Sequence, residues 1–137
     1  MSRVIFASHG GLSKGMKDSV SMIVGDLAKD VETYSLLPGQ NPEDFYQELS
    51  KQAKKSDEQI LVLCDIKGGS VHTALSKLAV LDNVMVFSGM NMGLALDAVM
   101  KSLGGEVSLE DATDLINAAK EGMTVMNGMS SEEDEDF

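Results

Sequence analysis

Residues 60–64 read Ile-Leu-Val-Leu-Cys, and this apolar run constrains the fold more than any other segment of the chain. A strand with one face in water alternates between apolar and polar residues, whereas a strand that is apolar throughout is covered on both faces. Strands of the second kind occur in parallel sheets that carry helices on both sides. The run therefore predicts an inner strand of an α/β protein.

The rest of the chain alternates between strand signals and helical periodicity. Short apolar segments predict further strands at residues 4–7, 30–37 and 84–87, and residues 123–127 predict a short edge strand. Helices are predicted after an Asn41 N-cap, over about 71–80 and 92–103, and after a Ser108 N-cap. This alternation with short connections predicts a doubly wound, mainly parallel sheet flanked by helices.

The first helix is predicted from apolar residues that recur at helical spacing. They are Met16, Val20, Ile23, Val24 and Leu27. Such spacing is typical of one apolar face that packs against a sheet. We therefore expect all five side chains to be directed towards the core.

Composition and charge exclude several classes of protein. Lys and Arg total 11 against 22 Asp and Glu, which gives a net charge of −11 and disfavours binding to nucleic acid or to an anionic membrane. No apolar run approaches the roughly 20 residues of a membrane-spanning helix, so a soluble, cytoplasmic protein is expected. One cysteine and two histidines are too few for a structural zinc site, and no nucleotide-binding glycine motif occurs. Neither a metal nor a cofactor is expected.

The length of 137 residues predicts one domain, over about residues 1–129, followed by an acidic tail. Residues 130–137 hold five acidic side chains and no base, which predicts disorder. Such a tail either docks onto a basic partner or only keeps the chain soluble.

Polar residues follow three of the predicted strands. His9 and Gly10 follow the first, Asp65 follows the third and Asn91 lies just after the fourth. The carboxyl ends of parallel strands meet at one edge of the sheet, which is where ligands bind in open α/β folds. There Asp65 can accept a hydrogen bond from one ring nitrogen of His9 and leave the other as a nucleophile. The alternative is that His9 is a surface turn residue and Asp65 a helix cap.

Gly68, Gly69 and Ser70 stand just before a predicted helix and form a second candidate element. Glycines let the backbone approach a ligand closely, and a helix start offers amide groups to an anion, to which Ser70 adds a hydroxyl and Lys67 a charge. The same three residues also serve as an ordinary tight turn. His72 is interpreted as a structural or surface residue, and Cys64 as an inert core thiol.

These motifs, taken in order, resemble the enzyme IIA domain of the mannose class of the bacterial phosphotransferase system. The resemblance covers about residues 3–127 and rests on four segments: Ser8-His9-Gly10, the turn at 37–39 before an acidic helix, the block 63–70, and Ser88-Gly89-Met90-Asn91. It implies that His9 is phosphorylated by the histidine-containing phosphocarrier protein and passes the phosphoryl group to a His of an enzyme IIB. It also implies that Asp65 orients His9 and that Ser70 helps to hold the phosphoryl group.

The resemblance further implies a homodimer in which a C-terminal strand is exchanged, a role that falls on residues 123–127. The partners would be the phosphocarrier protein, a separate enzyme IIB and, indirectly, the membrane sugar permease. Two alternatives stay open. One is the phosphocarrier subunit of a dihydroxyacetone kinase, which resembles a Gly-Ser-Ala block where this chain has Gly-Gly-Ser-Val, and the other is a regulatory binding module of the same fold.

Overall fold

Strands and helices alternate along the chain in a computed structural model that describes residues 2–128. Two 3₁₀ helices, Gly25–Ala28 and Ser76–Val80, follow the first and third α-helices. The elements in chain order are β1 (Arg3–His9), α1 (Leu12–Val24), β2 (Glu32–Leu36), α2 (Pro42–Lys54), β3 (Ile60–Cys64), α3 (Ser70–Leu75), β4 (Val84–Phe87), α4 (Met92–Leu103) and α5 (Leu109–Glu121).

The four strands form one sheet in the order β2-β1-β3-β4, and every pair is parallel. Helices cover both faces, so the predicted fold class is confirmed. β1 and β3 are the two inner strands, and Ala7 of β1 lies opposite Cys64 of β3. Both strands end at the same edge of the sheet, which places the residues that follow them next to each other.

β3 is buried at all five positions, as its composition predicts. Leu61 and Leu63 belong to a core cluster shared with α1, α4 and α5. Val62 and Cys64 belong to a second cluster, shared with α2 and α3 on the other face. Alternate side chains of one strand thus enter two separate cores, which is why no position of this strand is polar.

Two of the predicted helix starts are confirmed in detail. The Asn41 side chain accepts a hydrogen bond from the Glu43 amide at 3.0 Å, with Pro42 as the first helical residue. Ser108 and Asp111 form a reciprocal capping box at the start of α5. These side chains fix where each helix begins, and hence where the preceding loop ends.

The prediction for the first helix is wrong at two of its five positions. Met16 and Val20 are buried and Val24 is partly buried, but Ile23 is 63% exposed and Leu27 is 51% exposed. The helix ends at Val24 because Gly25 has a φ of +62° and diverts the chain into a 3₁₀ helix. The predicted helix over 71–80 is likewise α-helical only for Ser70–Leu75 and continues as 3₁₀.

Residues 123–127, predicted as an edge strand, are irregular in the single chain. A strand exists only where its backbone pairs with another strand, and this segment pairs with none of the strands in residues 2–128. The edge of β4 is open on that side, where a groove of about 720 Å³ lies between β4 and α5. Exchange of the segment with a second copy stays a prediction. The predicted acidic tail, from residue 130, lies outside the described residues.

Residues 2–128 contain neither a candidate membrane span nor a candidate metal cluster. No helix in this part of the chain is long and apolar enough to cross a membrane. Nor do three or more His, Cys, Asp or Glu side chains meet there in a group that could hold a metal ion.

Candidate functional site

His9 and Asp65 meet at the carboxyl edge of the sheet, one at the end of β1 and the other directly after β3. The distance from His9 Nδ1 to Asp65 Oδ2 is 2.8 Å. The same Oδ2 accepts a hydrogen bond from the His9 backbone amide at 2.8 Å, and Oδ1 accepts one from the Ile66 amide at 2.9 Å. One carboxylate thus holds both the backbone and the ring of His9.

These hydrogen bonds also set the charge of Asp65. Burial of the carboxylate raises its pKa, but hydrogen bonds from the His9 amide, the His9 imidazole and the Ile66 amide outweigh it and leave the pKa below its ordinary value. Only 8% of the Asp65 side chain is exposed, against 47% for His9. The site therefore keeps a buried carboxylate ionised beneath a half-exposed imidazole.

The second ring nitrogen of His9 faces the hydroxyl of Ser70, the first residue of α3. The distance from Nε2 to Ser70 Oγ is 3.0 Å. An ionised carboxylate can only accept, so in the neutral imidazole the ring proton lies on Nδ1 and Nε2 carries a bare lone pair. The Ser70 hydroxyl donates to that lone pair. Asp65, His9 and Ser70 thus form a line of three hydrogen-bonded groups. The bond between His9 Nε2 and Ser70 can be replaced when another group binds to Nε2.

The loop between β3 and α3 leaves no space beside the His9 ring. A Cβ atom on Gly69 would lie 3.2 Å from His9 Cε1 and 2.7 Å from Ile66 Cγ2. Gly68, the residue before it, has a φ of +79°, which favours glycine. Glycine is needed at one position for its small size and at the other for its backbone conformation.

The amides of the two glycines are already engaged in this structure. The Gly69 amide donates to the Ile66 carbonyl at 3.2 Å, and the Gly68 amide donates to His72 Nδ1 at 3.1 Å. These two amides thus serve the turn, and the prediction that backbone amides around Gly69 and Ser70 bind an anion stays a prediction. The Ser70 hydroxyl remains as the donor that faces His9.

The other predicted site residues are Gly10, Asn91 and Lys67. Gly10 has a φ of +56° and its amide donates to the Leu36 carbonyl at 2.8 Å, so it turns the chain out of β1. Asn91 caps α4 by accepting from the Leu94 amide at 2.8 Å. Lys67 is exposed and lines the groove beside β4. Gly10 and Asn91 therefore have local structural roles, and Lys67 lies on the surface near the site.

Two buried hydroxyls behind His9 carry no sequence signal. Ser8 and Ser13 are both 0% exposed. Ser8 Oγ accepts from the Ser13 amide at 2.7 Å and donates to the Gly10 carbonyl at 3.2 Å. Ser8 thus supplies, from the strand, the cap that Gly11 cannot give to α1. It fixes the turn that begins directly after His9.

Cys64 adjoins the site in sequence but takes no part in it. The thiol is buried, and burial together with the nearby Asp65 charge raises its pKa to about 12. A thiol in this state is a poor nucleophile. This supports the interpretation of Cys64 as a core residue.

Comparison with known proteins points in one direction. A family model described as "PTS system fructose IIA component" (EIIA-man) matches residues 3–119. The sorbose-specific EIIA component of the PTS system from Klebsiella pneumoniae is 34% identical over 101 residues, which are 72% of this chain and 73% of that protein.

Solved structures are similar over almost the whole chain. The EIIA component of a phosphotransferase system from Streptococcus agalactiae has a TM-score of 0.78 at 26% identity, over 91% of this chain and 97% of that one. The mannose/sorbose specific IIA subunit from Enterococcus faecalis also has a TM-score of 0.78, at 24% identity and over 92% and 95% of the two chains. At that identity the second similarity shows the fold alone.

Proposed function

The chain belongs to the EIIA-man family, the IIA components of sugar phosphotransferase systems, and from this premise we propose that His9 is its phosphoryl carrier. His9 accepts a phosphoryl group from the phosphohistidine of a histidine-containing phosphocarrier protein. It then passes the group to a histidine of a separate enzyme IIB. In this scheme the transfer takes place in the cytoplasm, and the membrane sugar permease is reached only through enzyme IIB.

The observation that carries the proposal is the line Asp65, His9, Ser70. The Nε2 lone pair of His9 forms a bond to phosphorus while the nitrogen–phosphorus bond of the donor breaks, so the donor histidine recovers its own lone pair. The Nδ1 proton stays on the ring, which becomes positively charged. The ionised Asp65, 2.8 Å from Nδ1, balances that charge.

The Ser70 hydroxyl suits both states of the carrier. In the free protein it donates to Nε2 from 3.0 Å. A phosphoryl group on Nε2 removes that lone pair and brings roughly two negative charges into a chain whose net charge is already −11. The hydroxyl can then turn to a phosphoryl oxygen, a hydrogen bond of the stronger, charge-assisted kind. Lys67 is a nearby source of positive charge.

The surroundings of His9 suit a protein partner. Three large apolar side chains follow the carboxyl ends of β1, β2 and β3, and each is at least half exposed: Leu12, Leu37 and Ile66. Apolar side chains around a half-exposed reactive group are typical of a surface that another protein covers. A carrier protein can therefore bring its phosphohistidine to Nε2.

Labelling tests this function. We expect the chain to take up one phosphoryl group from labelled phosphoenolpyruvate in the presence of the general phosphotransferase proteins. The label should be lost in acid, as phosphohistidine is, and should map to the peptide that contains His9. His9→Ala should abolish it while circular dichroism stays unchanged. Undiminished labelling of His9→Ala would refute the assignment, and an unlabelled wild type would favour a regulatory binding module.

We also propose that the chain forms a homodimer through residues 123–127. In the single chain this segment exposes Met123 to 73%, Val125 to 89% and Met126 to 54%. Within residues 2–128 the outer edge of β4, beside the groove, pairs with no other strand, and such an edge invites pairing with another chain. Light scattering at micromolar concentration should give twice the mass of 14.6 kDa. A chain truncated before Met123 should dimerise more weakly, and a monomeric wild type would contradict the proposal.

A further inference from the structure

The loop from Asp65 to Gly69 determines the geometry of the site, because it begins at the carboxylate beneath His9 and ends at Ser70. Within the described part of the chain, the loop has one internal backbone hydrogen bond, which the Gly69 amide donates to the Ile66 carbonyl at 3.2 Å. The Thr73 amide ties the end of the loop to α3 by donating to the Gly69 carbonyl at 2.8 Å, whereas Gly68, with a φ of +79°, takes part in neither bond and needs a restraint of its own.

That restraint comes from α3, through two side chains that reach back to Gly68. His72 Nδ1 lies 3.1 Å from the Gly68 amide nitrogen and accepts its hydrogen bond. The Thr73 hydroxyl donates to the Gly68 carbonyl at 3.3 Å. Both polar groups of one glycine are thus held by adjacent residues of the helix that carries Ser70.

The loop transmits this restraint directly to His9. A Cβ on Gly69 would lie 3.2 Å from His9 Cε1, so only a residue without a side chain lets the loop pass this close to the ring. Ser70 Oγ lies 3.0 Å from Nε2 on the same side. A shift of Gly68 therefore changes both the packing of the ring and the hydrogen bond to its nucleophilic nitrogen.

On the basis of the phosphoryl-carrier function proposed above, we propose that His72 is a positioning residue of the site. Its Nδ1 holds Gly68, and through Gly68 it holds Gly69 and Ser70 at their distances from the His9 ring. A nitrogen that accepts cannot carry a proton, so neutral His72 has its proton on Nε2. The two histidines of the chain are therefore in opposite tautomers, with the proton of His9 on Nδ1.

Nuclear magnetic resonance tests the hydrogen bond without any phosphoryl transfer. Long-range ¹H–¹⁵N spectra of the full chain, recorded where both histidines are neutral, should show an Nδ1–H pattern for His9 and an Nε2–H pattern for His72. In His72→Leu the Gly68 amide should exchange faster with solvent, and the Nε2 resonance of His9 should shift as its bond to Ser70 weakens. His72→Asn, whose Oδ1 can replace Nδ1 as acceptor, should restore both signals. An Nδ1–H pattern for His72, or an unmoved His9 resonance in His72→Leu, would overturn the proposal.

Transfer kinetics test the consequence for function. We expect His72→Leu to lower the maximal rate of phosphoryl transfer to His9 about threefold to tenfold, the effect of one lost hydrogen bond, with the KM for the carrier unchanged. His72→Asn should transfer at nearly the wild-type rate. Equal slowing in both variants would show that size, not hydrogen bonding, matters at this position. If wild type accepts no phosphoryl group the carrier function fails, whereas the tautomer spectra still decide the role of His72.

Discussion

The two ends of β3 both carry polar side chains, and they use them in different ways. At the amino end Gln59 is 9% exposed, and its Oε1 accepts from the Ser2 hydroxyl at 2.6 Å and from the Val107 amide at 2.8 Å. Its Nε2 donates to the Val107 carbonyl at 2.7 Å. At the carboxyl end the Asp65 side chain is 8% exposed and holds a half-exposed His9. The Gln59 side chain thus joins three distant segments of the chain, whereas Asp65 holds the half-exposed residue that we propose as the phosphoryl carrier.

The contacts of Gln59 are expected to matter for the stability of the fold, and those of Asp65 for the geometry of His9. Buried hydrogen bonds that join distant segments contribute to stability, because breaking them leaves unsatisfied groups inside the protein. Hydrogen bonds to an exposed reactive atom contribute to its orientation and proton state. Substitutions at the two ends of β3 should therefore affect different measurements.

The largest effect on transfer, apart from loss of His9 itself, is expected for Asp65→Asn. The amide can present a donor to Nδ1 and so favour the wrong tautomer of His9, which should slow transfer by about 100-fold or more. The free energy of unfolding should fall by much less than the free energy that corresponds to this loss of rate. Rates in both directions, to and from His9, are the measurement.

Asp57→Asn is the matched control, since it removes the same charge from an exposed position before the amino end of β3. It should transfer like wild type. Wild-type rates for Asp65→Asn would show that the carboxylate does not orient His9.

The next largest effect concerns the amino end and should appear in stability. Gln59→Ala deprives the Val107 backbone of both its partners, so the free energy of unfolding should fall by about 1–3 kcal/mol. Denaturant titration measures this loss. The rate of transfer to His9 under native conditions should stay unchanged, and a slower rate would contradict the separation between the two ends.

Ser70→Ala should have an intermediate to small effect, which is expected to be clearest in the phosphorylated state. Loss of the hydroxyl should cost about 0.5–3 kcal/mol of stabilisation of phospho-His9, between the strength of a neutral and that of a charged hydrogen bond. Transfer equilibria and the hydrolysis rate of phospho-His9 provide the measurement, and Ser70→Thr should keep the hydroxyl. Values identical to wild type for Ser70→Ala would leave Ser70 with only a local structural role.

The smallest effect is the pH dependence of stability that Asp65 contributes. Its pKa is lower in the folded protein than its ordinary value, so its contribution is complete above the unfolded pKa and is lost as the pH falls through the folded one. The difference in unfolding free energy between wild type and Asp65→Asn should therefore narrow as the pH falls below about 4. A difference that stays constant from pH 6 to pH 3 would contradict the bound, ionised carboxylate.

Much of this architecture could be predicted because its determinants are local. The apolar run at 60–64, the Asn41 cap and the Ser108 capping box each act within a few residues and point to the observed elements. His9 and Asp65 could be paired because parallel inner strands bring their carboxyl ends together. Features that depend on a few neighbouring residues can therefore be recognised in the sequence.

The remainder could not be predicted because it depends on how turns, helices and strands pack against one another in three dimensions. The hydroxyl of Ser8 caps a helix that begins after the next turn, and nothing in the local pattern distinguishes it from a surface serine. Ile23 follows the apolar spacing of α1 but lies on its exposed side, since the sheet covers only part of the helix circumference. The role of Gly69 depends on the position of the His9 ring, 60 residues earlier in the chain.

Because Cys64 is buried in β3, the reactivity of its thiol reports local opening of the structure around this strand. The chain has one cysteine, its side chain is 0% exposed, and its pKa is raised to about 12. A thiol reagent can therefore reach it only when the structure around β3, including the covering helices α2 and α3, opens locally, and the rate of labelling reports that opening. Labelling of this native cysteine therefore measures local opening one residue away from Asp65, and no cysteine has to be introduced.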